Sequence, residues 1–79
     1  MTKQIGVDCR FELDGTLTVF RIYLDKSWIT VAQGRQWVDR AGRHVLIMLP
    51  DESASEVLLR SDTMTWIISS VDDRKNRLV

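Results

Sequence analysis

Residues 5–24 read IGVDCRFELDGTLTVFRIYL, and this stretch decides the fold class. From Ile5 to Leu13 every second residue is apolar, which is the period of a half-buried β-strand. Asp14-Gly15 is typical of a two-residue hairpin turn, because both residues tolerate a positive φ. The stretch therefore predicts a β-hairpin whose second strand covers residues 16–24.

The loop length sets the register of this hairpin. A two-residue loop puts Val7 opposite Ile22 and Asp8 opposite Arg21, which gives an apolar and an oppositely charged pair. A three-residue bulged loop would shift the pairing by one residue. The two-residue register directs three apolar side chains of the second strand inward: Phe20, Ile22 and Leu24. It directs three others outward, where either the curled sheet or another chain covers them, and these form a candidate interface: Leu17, Val19 and Tyr23.

The remaining chain continues the β pattern. A third strand at 28–32 bends at Gly34, where a lone glycine indicates a bulge, and resumes at 36–38. Asp39 to Gly42 fits a type I turn that leads into a strand at 43–49. Five consecutive apolar residues at 45–49 favour a strand covered on both faces. A last hairpin joins 56–60 to 65–69.

We predict an all-β fold, a small SH3-like barrel or rolled antiparallel sheet of six or seven strands, with the tryptophans in its core: Trp28, Trp37 and Trp66.

Composition sets limits on the function. The 79 residues suffice for a single domain, with an ordered core at about 4–71 and a charged tail at 72–79. Eleven basic and eleven acidic side chains give a net charge of zero, so no global field draws the chain to nucleic acid or membranes. One Cys and one His cannot supply a structural zinc site, and no cofactor is expected. The start of the chain has no apolar signal run, and we therefore expect a cytoplasmic protein.

Residues 33–44 carry the most suggestive side chains. Three arginines and a histidine surround one tryptophan, a combination that neutralises phosphates and stacks on bases. This candidate binding surface consists of Arg35, Trp37, Arg40, Arg43 and His44. The zero net charge favours the alternative, in which Trp37 packs in the core and the arginines extend into water from a protruding hairpin.

An enzymatic role is not expected. His44 and Asp39 could form an oriented imidazole, but a general base also needs a nucleophile or a substrate pocket. Structural hydrogen bonding is the favoured interpretation of this pair. Cys9, between apolar neighbours of the first strand, is expected in the core as a small hydrophobic residue.

The segment Trp28 to Val31, followed by Gly34-Arg35-Gln36-Trp37 and Gly42-Arg43-His44, resembles a family of small bacterial all-β proteins of unknown function. They share the Gly-Arg-x-Trp and Gly-Arg-His spacing. The resemblance implies a compact bacterial β-fold with the central hairpin as its signature, and it implies no activity.

Taken together, the sequence predicts a non-enzymatic protein-interaction module. The chain has neither a disulfide nor a structural metal to stabilise so small a domain. Association with itself or with another protein is the remaining source of additional stability. A sheet face or an exposed edge strand would serve as the contact. The alternative is a weak nucleic-acid-binding barrel that uses the 33–44 hairpin.

Overall fold

Seven antiparallel strands form one continuous, curled sheet in the computed structural model, which describes residues 2–70. The spatial order is β3-β2-β1-β7-β6-β5-β4. The predicted all-β, rolled antiparallel architecture is confirmed, and the charged tail at 72–79 lies outside the described residues. The strands run as follows: β1 Thr2–Phe11, β2 Leu17–Leu24, β3 Ser27–Thr30, β4 Ala32–Asp39, β5 Gly42–Met48, β6 Ala54–Arg60 and β7 Trp66–Ser70.

Two corners divide the sheet into two parts. β1 pairs with β7 from Thr2 to Ile5 and with β2 from Gly6 to Phe11. The chain turns again at Val31, since β3 pairs with β2 whereas β4 pairs with β5. We call β1 from Gly6 onward, β2 and β3 the small sheet. The large sheet comprises the start of β1 with β4, β5, β6 and β7.

The core between the two sheets is aliphatic. Among residues 2–70 it consists of nine buried side chains: Ile5, Leu17, Val19, Ile22, Val31, Val45, Ile47, Val57 and Ile68. Of the three tryptophans, only Trp66 packs against this cluster, so the predicted tryptophan-centred core is wrong. The interior of so small a curled sheet is filled by branched aliphatic residues that both sheets contribute.

The first hairpin uses both of the registers that the sequence allows. Glu12 N–H donates to the Thr16 carbonyl at 2.8 Å, which makes a three-residue loop, and Cys9 consequently lies opposite Val19. A β-bulge at Phe20 then shifts the register, so that Val7 lies opposite Ile22 and Asp8 opposite Arg21, as predicted. The extra residue in the bulge shifts the register by one, and this compensates for the extra residue in the loop.

This bulge overturns the predicted outward face of β2. Leu17 and Val19 are 1% and 3% exposed and belong to the core, whereas Phe20 is exposed instead of buried. Tyr23 is exposed, as expected for the outer face. The physical reason is that alternation restarts at a bulge, so every side chain between the loop and Phe20 changes face.

The predicted bend at Gly34 is a bulge, and it closes the barrel. Residues 34 and 35 together face Leu46, which places Gln33 and Gln36 on the same side of β4. The side-chain amides of both glutamines bond to the backbone of β2, where the next strand would otherwise pair. Gln33 accepts from Val19 N–H at 2.6 Å and donates to the Leu17 carbonyl at 2.8 Å. Gln36 accepts from Leu17 N–H at 3.1 Å and donates to the same carbonyl at 2.7 Å. We call these four bonds the glutamine seam.

β5 is covered on one face only. Val45 and Ile47 are buried in the core, whereas Leu46 is half-buried and Met48 is exposed on the outer side of the large sheet. The predicted burial of residues 45–49 on both faces is therefore wrong. The outer apolar side chains of β5 lie on the open side of a single curled layer.

Candidate binding surfaces

Trp37 lies on the outer side of the large sheet, where it is half-buried by its neighbours. The imidazole of His44, directly opposite on β5, stacks on it with ring centroids 5.0 Å apart and an interplanar angle of 3°. The Arg35 guanidinium lies 5.2 Å from the centroid of the same ring. The tryptophan is therefore engaged in a stack with two residues of its own chain rather than in the core.

His44 is fixed at both nitrogens. Its Nε2 lies 2.8 Å from Asp39 Oδ1 and its Nδ1 lies 2.5 Å from Glu56 Oε2, a partner on β6. Burial lowers the pKa of His44, but the hydrogen bonds and charges of Glu56 and Asp39 together outweigh burial, and the net effect raises the pKa above its ordinary value. The hydrogen bond from His44 lowers the pKa of Asp39 in turn.

This arrangement suits a charged imidazole with a structural role. An imidazolium donates at both nitrogens and satisfies both carboxylates, whereas a neutral imidazole satisfies only one. A general base needs a free lone pair that faces its substrate. Both nitrogens of His44 are occupied within the chain and its side chain is 12% exposed, so the geometry ties β4, β5 and β6 together.

The five predicted binding residues do not form one surface. Arg43 donates to Gln36 Oε1 at 2.9 Å and to the Gly15 carbonyl at 3.1 Å, and so it braces the glutamine seam against the first hairpin loop. Arg40 is exposed in the β4–β5 turn. The structure brings together only Arg35, Trp37 and His44.

A different surface on the small sheet exposes aromatic rings together. Phe20, Tyr23 and Trp28 are 39%, 41% and 47% exposed. The rings of Tyr23 and Trp28 are 5.2 Å apart and tilted by 57°. Arg21 lies 4.7 Å from the Trp28 ring, and Arg10 lies 5.3 Å from the Phe20 ring. We call these five residues the aromatic face.

The charges on the aromatic face are compensated within the chain. Arg21 Nε donates to Asp8 Oδ2 at 2.9 Å, and Arg10 Nε donates to Glu12 Oε2 at 3.0 Å. The hydrogen bonds from Thr18 and Arg10 lower the pKa of Glu12, which keeps it ionised. The rings are therefore surrounded by both signs of charge in balance.

Most of the aromatic face is missed by sequence reasoning. The bulge at Phe20 has no glycine or proline to announce it. The Tyr23–Trp28 pair has a signal, however, because Asp25 and Lys26 have φ values of 53° and 68° and form a two-residue hairpin turn. An interpretation of Asp25-Lys26 as a tight turn would have set Tyr23 opposite Trp28.

Among residues 2–70, no group of three or more His, Cys, Asp or Glu side chains could hold a metal ion. The same part of the chain contains no helix with the length and hydropathy that a membrane crossing requires. In comparisons with known proteins, no family model matches the sequence, and no curated protein or solved structure matches it significantly. The resemblance to small bacterial β-proteins stays a prediction.

Proposed function

We propose that this chain is a non-enzymatic protein-interaction module and that the aromatic face is its binding surface. The observation that carries the proposal is the joint exposure of Phe20, Tyr23 and Trp28 on one side of the small sheet. Tryptophan, tyrosine and arginine are the residues that dominate binding energy at protein interfaces. We place the module in the cytoplasm, where a lone cysteine stays reduced.

The partner surface follows from the charges. Because Arg10 and Arg21 are each paired with a carboxylate, the aromatic face offers a polyanion little net attraction. A protein segment with an apolar side chain flanked by both signs of charge complements it better. The rings would supply the buried centre of such an interface and the ion pairs its polar rim.

Nucleic-acid binding at residues 33–44 is the weaker candidate. Arg43 and His44 are committed to bonds within the chain, and one face of the Trp37 ring is occupied by the imidazole. A base would have to displace His44 to stack there. This leaves Arg35 and Arg40 as the free basic groups of the predicted set.

Selection of peptides tests the proposal. Random peptides displayed on phage are selected on the folded wild-type protein, and their affinities are then measured by fluorescence anisotropy. We expect Trp28→Ser to weaken the selected peptides about tenfold or more, as removal of a central interface tryptophan does. Val38→Ser, which removes another exposed apolar side chain on β4, should change affinity less than about twofold.

Two results would overturn this assignment. If the selected peptides bind the Trp28→Ser variant as tightly as the wild type, the aromatic face is not the binding surface. Single-stranded oligothymidine that binds through Trp28, with affinity falling steeply between about 50 and 200 mM salt, would make nucleic acid the partner. Circular dichroism of each variant shows whether the fold is retained.

A further inference from the structure

Besides the outer edges of the terminal strands β3 and β4, one strand edge inside the sheet has no partner among the described residues. β7 accompanies β1 only as far as Ile5, so the β7-side edge of β1 from Val7 to Phe11 has no strand beside it among residues 2–70. We propose that a second copy of this chain pairs with this edge, and that the two β1 strands run antiparallel about a two-fold axis at Cys9. The edge shares Arg10 with the aromatic face, but the proposal does not depend on peptide binding there.

The backbone of this edge is available for pairing. Glu12 N–H points toward β2, where it bonds to Thr16, and strand alternation therefore points the backbone groups of Val7, Cys9 and Phe11 away from β2. These are the groups that a neighbouring antiparallel strand uses. No backbone or side-chain hydrogen bond from the described residues reaches this side of them.

The sequence of the edge is complementary to itself. An antiparallel pairing centred on Cys9 sets Asp8 opposite the second copy's Arg10, and the two-fold axis repeats that pair. Asp8 accepts from Arg21 through Oδ2 and Arg10 donates to Glu12 through Nε, so the pair across the axis would use Asp8 Oδ1 and the terminal nitrogens of Arg10. Opposite charges that face each other across two strands stabilise the pairing, whereas like charges destabilise it. The same register sets Val7 opposite Phe11, an aromatic and β-branched pair of the kind that sheets favour.

The exposure of Phe11 supports a covering strand. Its side chain lies on the same side of β1 as Ile5 and Val7, yet it is 60% exposed at the unpaired end of the strand. Exposed edges in monomeric proteins are usually short, bulged, charged or interrupted by proline. The edge from Val7 to Phe11 has neither a bulge nor a proline, since the bulge of the first hairpin is in β2, and its two charges are opposite in sign.

A second copy fits this edge better than the chain's other described strands. β7 leads away from it, because Ser69 lies beside Thr2 at the far end of β1. β3 is the terminal strand of the small sheet, but it has only four residues. The β1 edge is longer than the β3 edge, and β4, the other terminal strand, is interrupted by the bulge at residues 34 and 35.

Charge reversal in both directions tests the pairing. Asp8→Arg leaves two positive charges on the edge and Arg10→Asp leaves two negative charges, so each variant alone opposes like charges across the axis. We expect each to weaken the wild-type dimer about tenfold in sedimentation equilibrium. An equimolar mixture should restore association as a heterodimer, because the two edges then complement each other. The Trp28→Ser variant should dimerise as strongly as the wild type.

Oxidative cross-linking tests the register. In the proposed ladder the two Cys9 residues face each other at about 5.5 Å between Cα atoms, a separation that a disulfide spans. The sequence has a single cysteine, so mild oxidation with diamide should give one dimeric product on a non-reducing gel. Asp8→Arg and Arg10→Asp should each give less of it, and their mixture should recover it.

Three outcomes would overturn the proposal. The first is a wild-type protein that stays monomeric up to about 500 µM. The second is a dimer that both charge variants leave unchanged. The third is a mixture of the two folded variants that associates no better than either alone. Peptide binding that Trp28→Ser weakens would stand under any of these outcomes, because the rings of the aromatic face take no part in the proposed strand pairing.

Discussion

The glutamine seam makes closure of the barrel depend on individual side chains, and Gln33→Ala tests this most directly. The substitution removes the acceptor of Val19 N–H and one of the two donors to the Leu17 carbonyl. Each bond contributes about 1 kcal/mol net, and an orphaned buried donor adds to the loss. Because Gln33 is half-buried, water offsets part of the cost, and we expect a loss of about 2 kcal/mol.

Urea denaturation followed by tryptophan fluorescence and circular dichroism measures this loss. In a domain of this size, 2 kcal/mol lowers the melting temperature by about 8–16 °C. Gln4→Ala is the matched control, since Gln4 is exposed on β1 and should cost less than about 0.5 kcal/mol. Gln33→Glu should be destabilising as well, because a carboxylate accepts from Val19 but cannot donate to Leu17. Equal stability of Gln33→Ala and Gln4→Ala would refute the seam as an energetic element.

Three further predictions concern stability. Since the folded-state pKa of His44 is raised, its stabilising effect is fully present below its unfolded pKa of about 6.5 and is lost as pH rises through the folded pKa. NMR titration of this single histidine should show the raised pKa, and Glu56→Gln should lower it. A pKa that Glu56→Gln leaves unchanged would contradict the hydrogen bonding of His44 to two carboxylates. Gly42→Ala should prevent folding or cost at least about 3 kcal/mol, because φ is 144° and the new Cβ would lie 1.9 Å from a backbone oxygen of β6. Gly15→Ala, with φ of 91° but open space around it, should cost only about 1–2 kcal/mol in thermal melts, and equal losses would rule out the steric cause. Ile22→Ala should cost about 2–5 kcal/mol by urea denaturation, whereas a loss below about 1 kcal/mol would contradict its place in the core.

Local patterns in the sequence predict the strands well. Alternation from Ile5 onward identifies β1, and Asp14-Gly15 and Asp39 to Gly42 mark two of the turns. The lone glycine at 34 correctly predicts a bulge. These features succeed because the residues that produce them act over a few positions, through backbone conformation and side-chain alternation.

The candidate surfaces are harder to predict because they depend on contacts between distant segments. Leu17 and Val19 were expected on the outer face and lie in the core, since a single inserted residue at Phe20 reverses the alternation. The proximity of His44 to Asp39 follows from one hairpin, and the structure shows the contact. Glu56 reaches the same imidazole from β6, and only the pairing of β5 with β6 reveals it.

Barrel closure by glutamine side chains also has a dynamic consequence. A paired strand can leave its neighbour only by breaking many backbone bonds at once, whereas an amide side chain can swing away by rotation about its own torsions. The amide hydrogens of Leu17 and Val19 therefore depend on bonds to two side chains, although both residues are buried. Local opening at the seam should need less free energy than global unfolding. Hydrogen exchange should accordingly be faster at these two amides than at Ile22. We expect β2 and β4 to separate transiently while the rest of the sheet stays folded.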